Sequence, residues 1–432
     1  MKIVVFGAGP VGLTTSLSLC IWGHDVLCVD TNVELIKSLS DGITELYEAD
    51  ISTELKSALI RKKIQFSTNP KAACAFSNIY FIAVGTPNLV DGSCDLSRFD
   101  NCVRLIAESA FFSDKTIVIK STVPPLTNLN YSEKYKHTKT TFISNPEFLR
   151  EGTALKDALH PDRILIGSLC VKSTELLQNI YDPVAKITET FVTDPTTAEI
   201  SKYAANVFLA ARISLINEFA KISDVYNADI TTISDVIGSD PRIGSDFLKS
   251  GVGYGGSCLP KDVAATVSFS TLKNIELNLI PAIQKTNETQ VTDFVLLIQK
   301  HSPQKKIALW GISFKPETND LREAPALKII NLLLDDGFTI HVHDPQLSKV
   351  FLLIYSKQIQ NHQILIFNDK IQALTDCSAL TICTEWAEYS NADISEIKNN
   401  LHTPIIFDGR HIFLPSTMKE NGIQYFSIGQ KK

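Results

Sequence analysis

At 432 residues the chain exceeds one ordinary domain of roughly 100 to 200 residues, so two or three domains are expected. With 44% hydrophobic residues, 20% charged residues and a formal net charge of -6, the composition excludes a disordered chain and gives no electrostatic reason for nucleic acid or an anionic membrane as partner. Nine cysteines without a C-x-x-C pair argue against a disulfide framework and a zinc site, so no metal and a reducing, cytoplasmic setting are expected; no membrane span is expected either, because no uninterrupted apolar run reaches about 18 residues.

The segment KIVVFGAGPVGLTTSLSLCIWGHDVLCVD reads as a strand, a glycine turn, an apolar helix and a second strand ending on Asp30. Glycines interrupt its apolar run, and no small-residue cleavage site follows, so it is read as a βαβ unit and not as a signal peptide. Gly7, Gly9 and Gly12 form G-x-G-x-x-G, with Val11 in the same turn. The first glycine permits the tight turn, the second lets a pyrophosphate approach the backbone, and the third lets the helix pack on the sheet. The helix N-terminus favours the anion. Asp30 stands where a carboxylate accepts ribose hydroxyls, which favours NAD over NADP.

NIYFIAVGTP, KTIVIKSTVPP, TTFISNPEF and DRILIG continue the pattern as strands ending in glycine, proline or polar residues. They predict a doubly wound sheet, with Thr86, Thr122, Asn145, Glu147 and Glu151 at the carboxyl ends of strands, where ligands collect.

From Thr196, TTAEISKYAANVFLAARISLINEFAKISDVYN has helical periodicity and few breakers. Thr196 and Glu199 have capping-box spacing. Lys202 and Asn206 stand four apart, on one face. A helix this long can join two domains and supply a dimer surface. After Lys300 to Gln304 the βαβ rhythm restarts: KKIALWG is a strand, FKPETNDLREAP a loop carrying Lys315 and Arg322, ALKIINLLLDDG a helix, and FTIHVHDP a strand ending near Asp344. ALTICTEW and TPIIFDGRH follow, with Arg410 after a strand. Two cations before a helix suit a nucleotide diphosphate, or are simply solvated. The expected fold is α/β: two Rossmann-like doubly wound domains, residues 1–195 and 301–432, joined by a central helical domain, 196–300, with a long helix.

GVGYGGSCLPKD, residues 251–262, surrounds Cys258 with glycines and follows it with Lys261 and Asp262. Small residues let a large ligand reach the backbone, and a nearby cation or helix start favours a thiolate. Spacing alone leaves a catalytic thiol and a buried structural thiol both open.

This segment closely resembles the cysteine segment of the UDP-glucose/GDP-mannose dehydrogenase family. FGAGPVGL, VGTPNLVDGSCDLS, STVPP, NPEFLREGTA, PDRILIG, EISKYAAN, DPRIGSDFLKS, GISFKPETNDLREAP, TEWAEY and FDGRH agree in order and span nearly the whole chain. Within the family, PDRILIG, PRIG and LPKD resemble the branch that acts on UDP-glucose; GDP-mannose or another nucleotide sugar is the alternative.

The resemblance implies oxidation of an alcohol to an acid with two NAD used in turn and the aldehyde kept bound. Asp262 and Lys202 match the groups of the proton path, and Cys258 the nucleophile that forms a thiohemiacetal and then a thioester. Lys202 and Asn206 match the oxyanion donors, while Glu147 with Thr122 matches the water-activating pair. Glu151 matches a residue closing around the reacting region. For the substrate, the resemblance implies Phe148, Leu149, Tyr254 and Gly255 along the sugar nucleotide, and Lys261, Lys315 and Arg410 at polar groups. Arg242 resembles an arginine reaching into the neighbouring subunit of a homodimer.

Two departures stand out. Pro10 occupies a position that is usually aromatic and removes one backbone N–H from the turn. ELYEADIS lacks the proline and glycine common around the family's Tyr-Glu pair, which leaves the loop at Tyr47 and Glu48 open. A binding or regulatory protein that kept the fold without turnover is the alternative of a different class, although every matched reactive position is of the expected type.

Overall fold

The computed structural model describes residues 1–112 and 114–430. Among these, the first sheet comprises β1 (Lys2–Phe6), β2 (Asp25–Val29), β3 (Ile64–Ser67), β4 (Ile79–Ile82), β5 (Lys115–Ile119), β6 (Thr140–Ser144), β7 (Arg163–Gly167) and β8 (Glu189–Thr193). Their spatial order is β3-β2-β1-β4-β5-β6-β7-β8. All neighbours run parallel except β6 and β7, which meet antiparallel through Ser144 opposite Gly167. The inner strands are apolar at consecutive positions because both faces are covered. Ile3 and Val5 enter one buried cluster with Leu13 and Leu17, and Val4 and Phe6 enter another with Tyr80 and Ile82. Each such side chain contributes about 2 kcal/mol by leaving water. Strand order reverses between β1 and β4, so a crevice opens at their carboxyl ends.

The second sheet comprises β9 (Lys306–Trp310), β10 (Thr339–His343), β11 (Ile364–Ile366), β12 (Leu380–Ile382), β13 (Ile405–Asp408) and β14 (Gln424–Ser427). It is parallel throughout, in the order β11-β10-β9-β12-β13-β14. Again both faces are buried, Ile307 and Leu309 on one side and Ala308 and Trp310 on the other.

Between the sheets in sequence lie the helices Pro195–Tyr226, Leu259–Thr271 and Leu279–His301. The expected fold, two doubly wound parts and a long central helix, is the one observed. By its contacts the chain separates into two compact units, Met1–Ala205 and a second that begins at Asn206. In the second unit Ile216, Ala220, Phe294 and Ile298 share one core with β9. No helix among the described residues is long and apolar enough to cross a membrane.

The expected capping box does not form. Pro195 already belongs to the helix, so Thr196 lies inside the first turn, and Asp194 accepts from the Thr197 amide at 2.9 Å. Glu199 is buried instead and accepts from the Asn128 amide at 2.9 Å and the Ser144 hydroxyl at 3.2 Å. Sequence reading also missed β3, β8, β11 and β14. Two of these, β3 and β11, are sheet edges, and β8 and β14 are the edges on the other side; edge strands are short and partly exposed, so alternation is weak.

Candidate active site

The glycine turn after β1 has the geometry its spacing predicts. Gly7 has φ +98°, and a Cβ there would lie 2.6 Å from the Ala83 carbonyl oxygen. At Gly12 a Cβ would lie 1.8 Å from the Gly7 oxygen, so only glycine lets the helix start this close to the strand. Gly9 faces open space, with nothing within 4 Å of an added Cβ. Pro10 is the first residue of the helix Pro10–Ile21, a position whose N–H has no helical partner, so the departure costs the helix no hydrogen bond. Val11 follows in the same half-buried turn. The Asp30 carboxylate accepts from the Ala8 amide at 2.8 Å and the Asn32 amide at 3.0 Å, one per oxygen, which leaves lone pairs for ribose hydroxyls. Open space at Gly9, a helix N-terminus and an available carboxylate fit a dinucleotide.

Thr86 and Thr122 lie after β4 and β5, and the Thr86 hydroxyl donates to the Thr122 carbonyl at 2.7 Å. Glu151 is half-buried in the turn before the helix Ala154–Leu159. Glu48 accepts from the amides of Gly152, at 2.8 Å, and Leu155, at 3.4 Å, which ties the ELYEADIS loop to that turn; burial raises its carboxyl. Tyr47 is exposed.

Beyond β6, Glu147 is buried, accepts from the Leu149 amide at 2.6 Å, and pairs with Lys202 at 3.3 Å. The Phe148 ring lies 3.9 Å from the Arg163 guanidinium carbon and 5.2 Å from the Lys202 ammonium. A third cation, Lys120, was missed by sequence reasoning. It is buried and donates to Asn145 at 3.2 Å and Tyr181 at 3.4 Å. Burial pushes its ammonium down to about 8, with Lys202 adding to the fall and Glu147 opposing it. A lysine closing an apolar strand was the available signal.

In the second unit, Cys258 immediately precedes the helix Leu259–Thr271, whose second residue is Pro260. Its Sγ lies 3.4 Å from the Ser257 hydroxyl. Asp262, one turn on, is 1% exposed and accepts from the Asn206 side-chain Nδ2 at 2.6 Å, while Lys261 pairs with its other oxygen. Gly255 and Gly256 admit neighbours that a side chain would block: a Cβ would lie 2.4 Å from the Glu323 carbonyl oxygen and 2.8 Å from the Phe314 ring, respectively. Tyr254 between them and Gly253 is buried, which pushes its phenol up to about 12.

The remaining cations differ in placement. Arg410 donates to the carbonyls of Cys383 at 2.8 Å and Gly253 at 3.2 Å, and pairs with Glu385 at 3.3 Å, so it braces the cysteine loop. Lys315 lies 5.7 Å from the Phe314 ring centre. Arg322 is bound to Asp320 two residues earlier, and Arg242 likewise to Asp240; the Arg242 side chain is 88% exposed.

Comparison with known proteins accords with this arrangement. Residues 1–185 match the NAD binding domain of the UDP-glucose/GDP-mannose dehydrogenase family, residues 196–289 its central domain and residues 308–415 its UDP binding domain. UDP-glucose 6-dehydrogenase TuaD of Bacillus subtilis is 35% identical over 99% of this chain and 93% of its own. UDP-glucose 6-dehydrogenase of Pseudomonas aeruginosa is 34% identical over 100% and 98%. Among solved structures, a UDP-glucose dehydrogenase from Pyrobaculum islandicum superposes with a TM-score of 0.90 at 30% identity, covering 99% of this chain and 98% of that one. A UDP-D-ManNAc dehydrogenase from Pyrococcus horikoshii reaches 0.87 at 25% identity, covering 100% of both. This chain belongs to the UDP-glucose/GDP-mannose dehydrogenase family and is an NAD-dependent oxidoreductase.

Proposed function

We propose that this chain oxidises the C6 alcohol of UDP-glucose to the acid, giving UDP-glucuronate, with Cys258 as covalent nucleophile. The observation that carries the reading is the thiol at a helix start with the buried Asp262 one turn on, itself held by Asn206 and Lys261. NAD, when bound, takes up the hydride at each of the two oxidations. Gly7, Gly9, Val11 and Gly12 would cradle its pyrophosphate, Asp30 would bind ribose, and Thr86, Thr122 and Glu151 would line the crevice.

Asp262 and Lys202 carry the proton released by the alcohol through water. Cys258 attacks the aldehyde carbon to form a thiohemiacetal, whose oxidation gives a thioester. Capture keeps the reactive aldehyde in place and divides a difficult oxidation into easier steps. Lys202 and Asn206 stabilise oxyanions, since donors fixed in a buried site need no reorganisation. Glu147, with Thr122, orients or deprotonates the water that hydrolyses the thioester. Phe148, Leu149, Tyr254 and Gly255 hold the sugar nucleotide; Lys261, Lys315, Arg322 and Arg410 meet its polar groups.

We read residues 1–195, 196–300 and 301–432 as the NAD, central and UDP-sugar parts. A cytoplasmic homodimer completes the proposal, with Arg242 reaching the neighbour's site. Phe208, Leu215, Phe219, Ile222 and Tyr226 support it: they are exposed at helical spacing along Pro195–Tyr226. The substrate is tested by NADH formation at 340 nm from UDP-glucose, UDP-N-acetylmannosamine and GDP-mannose side by side. Turnover of UDP-glucose alone is expected. Turnover confined to another sugar overturns the substrate, and tight UDP-glucose binding without NADH overturns the enzyme.

A further inference from the structure

The loop bearing Cys258 is held by side-chain amides that the proposed chemistry leaves unused. Asn217, on the long helix, accepts from the Gly251 amide at 2.9 Å, and Gln290, on Leu279–His301, donates to the Gly251 carbonyl at 2.9 Å. Asn287, one turn before Gln290, accepts from the Tyr254 amide at 2.8 Å and donates to the Tyr254 carbonyl at 3.0 Å. Both peptide groups are thus paired as in a sheet ladder, by side chains in place of a neighbouring strand. Gly253 makes room for this: a Cβ there would lie 2.6 Å from Asn287 Oδ1.

Three buried side-chain amides supply the partners of this seam. They are 1%, 2% and 9% exposed at Asn217, Gln290 and Asn287, and two of their atoms, Asn217 Nδ2 and Gln290 Oε1, are buried without a partner. Apolar residues of similar volume would leave the peptide groups of Gly251 and Tyr254 unpaired, so the amides both satisfy and orient this backbone. What apolar residues cannot do is fix the rotation of a glycine-rich backbone, because they make no directional contact.

We propose that Asn287, assisted by Asn217 and Gln290, is a positioning residue that holds residues 251–256 so that Cys258 meets the aldehyde carbon. The proposal rests on Cys258 as nucleophile. It predicts a division between the two oxidations: the first does not use the thiol, while the second requires it within attack geometry, where a 1 Å misplacement costs about 100-fold.

The test uses the full chain with Asn287→Leu, which removes both bonds to Tyr254, and the isosteric Asn287→Asp, which keeps the acceptor and loses the donor. Should Asn287→Leu fail to fold, Asn287→Asp carries the comparison. Three quantities are read: hydrogen exchange of the peptide covering residues 251–258, NADH formed per UDP-glucose, and oxidation of the UDP-sugar aldehyde supplied directly. Exchange is expected to accelerate, NADH yield to fall from about two toward one, and aldehyde oxidation to slow by at least about tenfold, less in Asp than in Leu. Unchanged exchange, or faster exchange with the aldehyde step intact, overturns the proposal. If wild-type protein forms no NADH from UDP-glucose, the functional reading falls by itself, and the exchange comparison still decides whether Asn287 holds the loop.

Discussion

Glu199 offers a prediction whose sign and size follow from its surroundings. It is 3% exposed, and burial is the largest cause of its rise from 4.5 to about 7; the Asn128 amide and the Ser144 hydroxyl pull the other way. Between these values the folded chain keeps a proton that the unfolded chain has lost. The contribution to stability is therefore complete below pH 4.5 and is lost as pH rises through about 7. The full difference amounts to about 3 kcal/mol. Glu199→Gln keeps the acceptor oxygen and removes the charge, so it mimics the protonated form. In urea unfolding followed from pH 5 to 8, the variant is expected to gain about 1 M in midpoint at pH 8, for a slope of about 3 kcal/mol/M, and almost nothing at pH 5. A variant less stable than wild type at pH 8, or a difference independent of pH, would refute the reasoning.

Three further outcomes are expected. Lys120 is held down at about 8 by burial, so wild-type protein gains stability as pH rises from 8 toward 10.5, and Lys120→Met should show no such gain; parallel urea midpoints across that window would contradict this. Gly12→Ala places a Cβ 1.8 Å from the Gly7 oxygen and forces the turn open, raising KM for NAD by at least about tenfold or lowering stability by about 2 kcal/mol; kinetics and melting both at wild-type values count against it. Asp262→Asn keeps the shape and removes the charge that Lys261 pairs with, so kcat should fall by about 100-fold with circular dichroism unchanged.

The parts legible in the sequence are those whose local geometry dictates residue type. Gly7 and Gly12 were readable because a left-handed turn and a close helix start admit no side chain. The central strands were readable because burial on two faces leaves continuous apolar runs. β3, with QF inside it, and β8, with exposed Phe191 and Val192, were not, because their strand character comes from a neighbour and not from their own pattern. The capping box failed for a related reason: Asp194 competes for the same amides, and Glu199 is claimed by Asn128 and Ser144, distant in sequence. Arg322 read as a cation for a diphosphate or for solvent, yet an aspartate two residues before it folds back onto it. Asn287 and Gln290 gave no signal, since polar residues on a long helix ordinarily face water, and only the tertiary structure turns them inward to the cysteine loop.

The central claim is that Cys258 carries the second oxidation. Its most direct test is the number of NADH formed per UDP-glucose consumed, in wild-type protein and in Cys258→Ser. About two NADH are expected in wild type and no more than about one, at a far lower rate, in the variant. A Cys258→Ser enzyme that still produces two NADH at the wild-type rate would contradict it.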